Sequence, residues 1–238
     1  MSGSSSFDDA GRMGSAARLL ALGVVDAAVV GGVDSLCLTT LYGFAALELV
    51  SPEICRPWDA QRKGLSIGEA AAFALLERDV AQPAAWLLGC GESSDGHHMS
   101  SPHPQGAGAA LAMQQALAQA GCSADQVGYI NLHGTGTPGN DAAEDQGVCT
   151  VFGTDVPCSS TKGYTGHTLG AAGGVEAAIS MLALQHGLLP AGLNVQQVDP
   201  ALRSRYLLQP LQRTVDRVAS NSFGFGGSNA CLVFGAAR

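Results

Sequence analysis

Apolar positions recur along this chain at two periods, and each change of period marks a change of element. GSAARLLALG, from Gly14 to Gly23, spaces its apolar residues as a helix does and ends on a glycine. DAAVVGGVD, from Asp26 to Asp34, reads as a buried strand running into a turn. From Ser35 to Gly68 the pattern is irregular, with Pro52, Pro57 and the charged stretch Asp59 to Lys63, which predicts a long surface excursion of the kind that borders sites. EAAAFALLE, from Glu69 to Glu77, fits either period and is read as a strand, limited by Pro83.

A second unit opens near Ala84. Trp86 to Gly91 is a strand, Gly106 to Ala120 an Ala-rich helix closed by Gly121, and Val127 to Leu132 a strand that delivers His133 at its end. Asp141 to Phe152 follows as a helix and Val156 to Ser159 as a strand. Val175, Ile179, Leu182 and Leu184 then define a helix that Gly187 stops. Arg217 to Ser222 and Asn229 to Phe234 are strands around a glycine turn. The order from Ala84 is β-α-β-α-β-α-β-β. The α-β-β of the first segment matches only the tail of that order, so one complete α/β unit is expected behind a fragment of a similar one. The division is residues 14–83 and 84–238; residues 1–13, with Ser-Gly-Ser-Ser-Ser, look like a tag or cloning remnant outside the fold.

Composition narrows the function classes. The 238 residues are 46% hydrophobic, which supplies a core, and the net charge of −8 without a basic run argues against nucleic acid as a partner. Seven cysteines without CxxC spacing suggest neither a disulfide framework nor a zinc knuckle, and point to a reducing, cytoplasmic home. No apolar run reaches the roughly 20 residues of a membrane span, and no membrane partner is expected.

Three stretches carry chemistry. His133-Gly-Thr-Gly-Thr137 follows a strand end, where a histidine can serve as acid, base or oxyanion donor. Ser159-Ser-Thr-Lys-Gly-Tyr-Thr-Gly-His167 adds a lysine and a second imidazole in a glycine-rich loop that feeds a helix. Asn221-Ser-Phe-Gly-Phe-Gly-Gly-Ser-Asn229 can present backbone N–H groups. Each motif alone fits a structural residue as well as a functional one. His97, His98 and His103 invite a metal reading, but without a carboxylate or cysteine at fitting spacing a polar loop accounts for them better.

In this order and spacing HGTGT, SSTKGYTGHTLGAAG and NSFGFGGSN resemble the β-ketoacyl-ACP synthases of the thiolase fold, the elongating condensing enzymes of fatty acid and polyketide synthesis. GSAARLLALGVVDAAVVGGVD, CRPWDAQRKG and SSDGHHMSSPHP extend the resemblance over residues 14–235, nearest to bacterial single-domain synthases. The resemblance implies a five-layered α-β-α-β-α fold of two similar halves. It implies decarboxylative Claisen condensation of a malonyl thioester with an acyl primer, both delivered on the phosphopantetheine arm of an acyl carrier protein.

By the same resemblance His133 and His167 donate to the malonyl thioester carbonyl, Lys162 supports the pair, Thr135 and Thr137 hold the pantetheine, and Phe225 gates the site and gives its backbone N–H to the oxyanion hole. Asn131, Glu176, Ser220 and Asn221 match a structural site for a monovalent cation; no other cofactor is implied. The departure is the nucleophile. The family's cysteine sits in an Ala-Cys-Ser-Ser-type elbow ahead of the helix that Gly14 to Gly23 resembles, and this chain has no cysteine before Cys37. Ser4 to Ser6 resemble the serines of the elbow, but a serine is far less nucleophilic than a thiolate. The expectation is therefore the C-terminal portion of a condensing enzyme, inactive in condensation as it stands. It would form a homo-oligomer or pair with a missing N-terminal half. The alternative is a non-catalytic partner subunit of the chain-length-factor type.

Overall fold

The computed structural model describes residues 6–237. Helix α1 runs from Ser6 to Ala21, eight residues earlier than the Gly14 start expected from spacing. Asp9, Ala10 and Met13 are buried, so part of the stretch assigned to a remnant belongs to the fold. Ala10, Met13 and Ala16 continue one apolar stripe across Gly11 and Gly14, and pattern counting from the second glycine cut that stripe short. Ser4 and Ser5 lie outside the described residues.

Strands β1 (Ala27–Asp34) and β2 (Ala70–Glu77) pair antiparallel, with Ala27 opposite Glu77 and Asp34 opposite Ala70. Between them lies a helix the sequence did not predict, α2 (Leu38–Ala46), inside the expected irregular excursion. LTTLYGFAA has no charged face and none of its residues is buried, so there was no amphipathic period to read.

The remainder forms a six-stranded sheet. Its elements are β3 (Trp86–Ser94), α3 (Ala107–Ala120), β4 (Tyr129–Asn131), α4 (Pro138–Phe152), β5 (Pro157–Ser159), the single turn α5 (Lys162–Thr165) and α6 (Ala172–His186). Two-residue strands β6 (Leu188–Leu189), β7 (Arg205–Tyr206) and β8 (Leu211–Gln212) follow, then β9 (Arg217–Gly224) and β10 (Ser228–Gly235). The sheet order is β3-β10-β9-β4-β5-β7; β10 is antiparallel to both of its neighbours and the other pairings are parallel. The strands β6 to β8 were unpredicted because two residues carry no period. Helix α6 begins three residues before the predicted Val175, since Gly174 faces the hairpin, where a Cβ would stand 2.9 Å from that of Ala72. Gly187 ends it in the left-handed conformation, as its position suggested.

Two apolar clusters flank the sheet. Ala112, Met113 and Ala116 of α3 and Val148 and Phe152 of α4 pack with Ile130, Phe223 and Val233 on one face. On the other, α1 and α6 meet Tyr129, Val218 and Leu232, and the same helices carry the hairpin on their far side. The layers are thus α3/α4, six-stranded sheet, α1/α6 and β1/β2, a thiolase-like α/β arrangement of four layers where five were expected. On the outer face of the hairpin Val29, Val33, Phe73 and Leu75 are 59% to 73% exposed. Among the described residues no helix is long and apolar enough to cross a membrane.

Candidate active site

Strand β4 stops at Asn131 in the middle of the sheet and leads into His133 at the carboxyl end of the parallel strands, where clefts form in such sheets. The turn is held from helix α4. Glu144 accepts hydrogen bonds from the backbone N–H of His133 (2.8 Å) and Gly134 (2.8 Å) and from Asn221 Nδ2 (3.0 Å). Gly134 has φ +36°, and a Cβ there would stand 2.4 Å from that of Ser160, so the close passage of the two loops requires glycine.

Lys162 is 1% exposed in the turn α5, and its Nζ donates to three acceptors: the His133 carbonyl (2.6 Å), His133 Nδ1 (3.4 Å) and the Glu176 carboxylate. An ammonium can only donate, so Nδ1 of His133 is the unprotonated nitrogen and its proton resides on Nε2. At His167 the backbone N–H of Leu169 donates to Nδ1 (3.2 Å), which fixes the same tautomer. The two rings are 5.4 Å apart and nearly perpendicular. Burial, with the Lys162 charge adding to it, holds both histidines well below the ordinary imidazole pKa. The site therefore presents two neutral imidazoles, each with an Nε2–H to give. That is the equipment for stabilising negative charge on an oxygen.

Burial moves the two carboxylates the other way. Glu144 is pushed up to about 7 against its three donors, and Glu176 is raised as well, with Lys162 opposing the rise. On α4, Asp141, Glu144 and Asp145 share one face at helical spacing, and each clamps backbone from a different segment. Asp141 accepts from the N–H of Trp58 (3.0 Å) and Gly136 (3.2 Å), beside Arg62; Asp145 accepts from Ser204 (2.8 Å) and Arg203 (3.0 Å). Sequence reasoning missed these roles. The available signal was three carboxylates in five residues on a helix adjoining the histidine loop.

His133 and His167 lie in a cavity of about 580 Å³ whose lining also includes Thr135, Thr137, Phe223 and Phe225. The Thr135 and Thr137 hydroxyls are 2.8 Å apart. Phe225 is half exposed and stacks on Phe44 of α2, centroids 5.6 Å apart, while Phe223 stands against His133 at 5.5 Å. Phe44 belongs to the helix the sequence did not reveal. Among the described residues no cysteine lines this cavity. All seven cysteines are free; burial lifts Cys55 to about 11 and Cys90 to about 12, as befits inert core thiols.

The predicted cation set does not converge as side chains. Asn131 Nδ2 donates to the Glu176 carbonyl (3.3 Å), and Ser220 is the register partner of Asn131 on the same face of the sheet. Asn221, one residue along β9, turns to the opposite face, where Nδ2 reaches Glu144 and the sulfur of Met113 (3.7 Å). Alternation along a strand compels this separation. The histidine loop between β3 and α3 brings only the rings of His97 and His103 together, 5.1 Å apart, and among the described residues no group of three or more potential ligands is placed to hold a metal.

Residues 4–81 match the family model of the β-ketoacyl synthase N-terminal domain and residues 84–196 that of the β-ketoacyl synthase C-terminal domain. The mitochondrial 3-oxoacyl-[acyl-carrier-protein] synthase of Arabidopsis thaliana is 41% identical over 93% of the chain and 53% of its own length. The 3-oxoacyl-[acyl-carrier-protein] synthase 2 of Vibrio cholerae is 38% identical, over 93% and 58%. The chain thus spans somewhat over half the length of these curated relatives. Among solved structures, a ketosynthase in complex with its chain length factor from Xenorhabdus doucetiae superposes with a TM-score of 0.94. It shows 46% identity over 98% of this chain and 59% of its own. A β-ketoacyl synthase from Burkholderia phymatum gives 0.94 at 35% identity, covering 99% and 60%.

Proposed function

Since the chain belongs to the β-ketoacyl synthase family, we propose that its cavity takes a malonyl thioester carried on the phosphopantetheine arm of an acyl carrier protein, and that His133 and His167 promote its decarboxylation. The bond from the malonyl carboxylate carbon to Cα breaks, its electron pair passes into an enolate, and carbon dioxide leaves. The observation that carries this reading is the pair of neutral imidazoles with their Nε2–H groups turned away from the bonds that fix Nδ1. A negative oxygen 2.7 to 3.1 Å from such donors is stabilised more than the ground-state carbonyl. Thr135 and Thr137 would meet the pantetheine, and Phe225 would gate the entrance. A structural cation, where bound, would draw on the Asn131, Ser220 and Glu176 oxygens; oxygen donors suit a hard ion, and Asn221 could offer only its backbone.

In a complete synthase this half-reaction supplies the nucleophilic carbon for an acyl group held on cysteine. With no cysteine lining the cavity among the described residues, this polypeptide is expected to show no condensation of acyl-ACP with malonyl-ACP above the uncatalysed rate. Steady formation of 3-oxoacyl-ACP by the pure chain would overturn that expectation. The same observation favours the second reading, a partner subunit that binds acyl or pantetheine groups without acylation. The two are separated by carbon dioxide release from malonyl-pantetheine: the first requires it, the second does not. Seven free cysteines fit a reducing compartment.

The stack of Phe44 on Phe225 gives α2 a part in ligand binding. Phe44→Ala is expected to weaken binding of an acyl-pantetheine thioester about five- to tenfold, the loss of one aromatic contact of roughly 1 kcal/mol with its share of apolar burial. Isothermal titration of both proteins checks this, and equal affinities would remove Phe44 from the site.

A further inference from the structure

The excursion between α2 and β2 lies against both histidine loops. The Gly64 N–H donates to the Gly136 carbonyl (3.0 Å) and the Cys55 thiol to that of Thr135 (3.4 Å). At the second loop the His167 N–H donates to the Ser66 carbonyl (2.7 Å) and the Gly68 N–H to the His167 carbonyl (3.0 Å). Arg62 adds a buried charged side chain to these contacts. Its Nε stands 3.3 Å from the Asp141 carboxylate, while Nη1 donates to the Asp199 carboxylate (2.7 Å) and the Asp59 carbonyl (2.9 Å). Burying a guanidinium is costly, and a buried ion pair is weak evidence of a gain in stability; its best-attested use is to fix a register.

What is fixed here is the Thr-Gly-Thr turn. Thr137 is the N-cap of α4, yet its hydroxyl makes no cap bond and lies 2.8 Å from that of Thr135. A threonine at this position ordinarily accepts from the first turn of its helix. Instead the carboxylate of Asp141, within that first turn, reaches back to the Gly136 N–H at 3.2 Å, and both threonines stay in the cavity lining. Gly136 has φ +78°, and a Cβ there would stand 2.8 Å from the Gly64 carbonyl, so the turn is seated directly on the excursion. Burial pushes the Asp141 carboxyl up; the Trp58 N–H and the Arg62 charge oppose the rise and favour the ionised acceptor.

We propose that Arg62 is a positioning residue for pantetheine binding: through Asp141 it holds Gly136, and so sets the spacing at which Thr135 and Thr137 meet the arm. The inference rests on the pantetheine reading of these threonines and applies to a decarboxylating enzyme and to a binding subunit alike. Asp199 holds the other end of the guanidinium, so the loop between β6 and β7 is tied to the same turn.

The test joins a measurement without ligand to one with it. Hydrogen exchange reads the Gly136 amide. Isothermal titration reads the preference for butyryl-pantetheine over the S-methyl thioester of butyrate, which has the same acyl group and no arm. Arg62→Met should speed Gly136 exchange about tenfold and lower the preference about five- to tenfold, as expected for the loss of one fixed hydrogen bond. A defect of structure alone weakens both thioesters alike and leaves the preference. Arg62→Lys keeps a cation beside Asp141 and so protects the fold, but one ammonium does not replace the fork, and both effects should persist at about threefold or more. Thr135→Val/Thr137→Val should remove the preference. Gly136 exchange unchanged in both Arg62 variants would overturn the proposal, as would a preference that survives them and is lost in the threonine variant. A preference absent from the wild type, or one that survives the threonine variant, would overturn the pantetheine reading and the proposal with it, even where the Gly136 amide is released.

Discussion

Replacing His133 with alanine is expected to lower carbon dioxide release from malonyl-pantetheine by about a hundred- to a thousandfold, the cost of losing one preorganised oxyanion donor. The prediction rests on the tautomer. Lys162 donates to Nδ1 and so leaves the Nε2 proton free for the substrate oxygen. His133→Asn, whose amide N–H can replace part of that donation, should recover some of the rate. Lys162→Met should act through the ring instead: it frees Nδ1 to take the proton and leaves Glu176 with a buried charge and no cation, so both rate and stability should fall. The pH profile distinguishes the roles. A donor held neutral by burial gives a rate that is flat from about pH 8 to about pH 6, whereas a histidine acting as a cation gives a rate that rises toward acid. Decarboxylation unchanged in His133→Ala would remove the histidine from the chemistry and leave the binding-subunit reading.

That His133, Lys162 and His167 would come together was legible from their motifs, because residue type and local spacing are what a sequence displays directly. The order of strands and helices from Trp86 onward was legible for a similar reason, since Met113, Ala116 and Leu117 in α3 fall at helical spacing and the short runs of β9 and β10 are set off by a glycine turn. What stayed hidden depends on distance between segments. Helix α2 is apolar all round and exposed, so no period announced it, and with it went Phe44. Asn221 was grouped with Ser220 by the family resemblance, which names residues and not the faces they occupy, and a strand sends neighbouring side chains to opposite faces. Asp141, Glu144 and Asp145 drew no reading from the sequence, because it is the loops folding back over α4 that turn them inward.

Of these hidden groups Glu144 carries the largest expected effect on stability. Glu144→Ala leaves the N–H groups of His133 and Gly134 and the Asn221 amide without their acceptor, at roughly 1 to 3 kcal/mol for each buried donor. Several kilocalories of that kind are a large share of the roughly 5 to 15 kcal/mol that holds a typical domain folded. The milder Glu144→Gln keeps one acceptor oxygen, and its behaviour should depend on pH in a defined direction. With the folded pKa of Glu144 raised to about 7 and the unfolded value near about 4.3, the folded state binds the extra proton between those limits. The stability this proton contributes is fully present below the unfolded value and is lost as pH rises through about 7. His133 and His167 run oppositely. Their folded pKa values are depressed, so their contribution is complete above about 6.5 and declines as pH falls, by up to roughly 1.4 kcal/mol per pH unit for each ring. In the wild type the two trends offset one another across weakly acidic pH. In Glu144→Gln one of the compensating protons is gone, so the variant should lose about 3 to 4 kcal/mol relative to wild type between about pH 8 and about pH 4. Urea midpoints at constant m-value follow this difference. Parallel stability curves for the two proteins would mean that Glu144 is ionised in the fold at every pH tested, and that the loop is held by a fixed charge rather than by a carboxyl poised near neutrality.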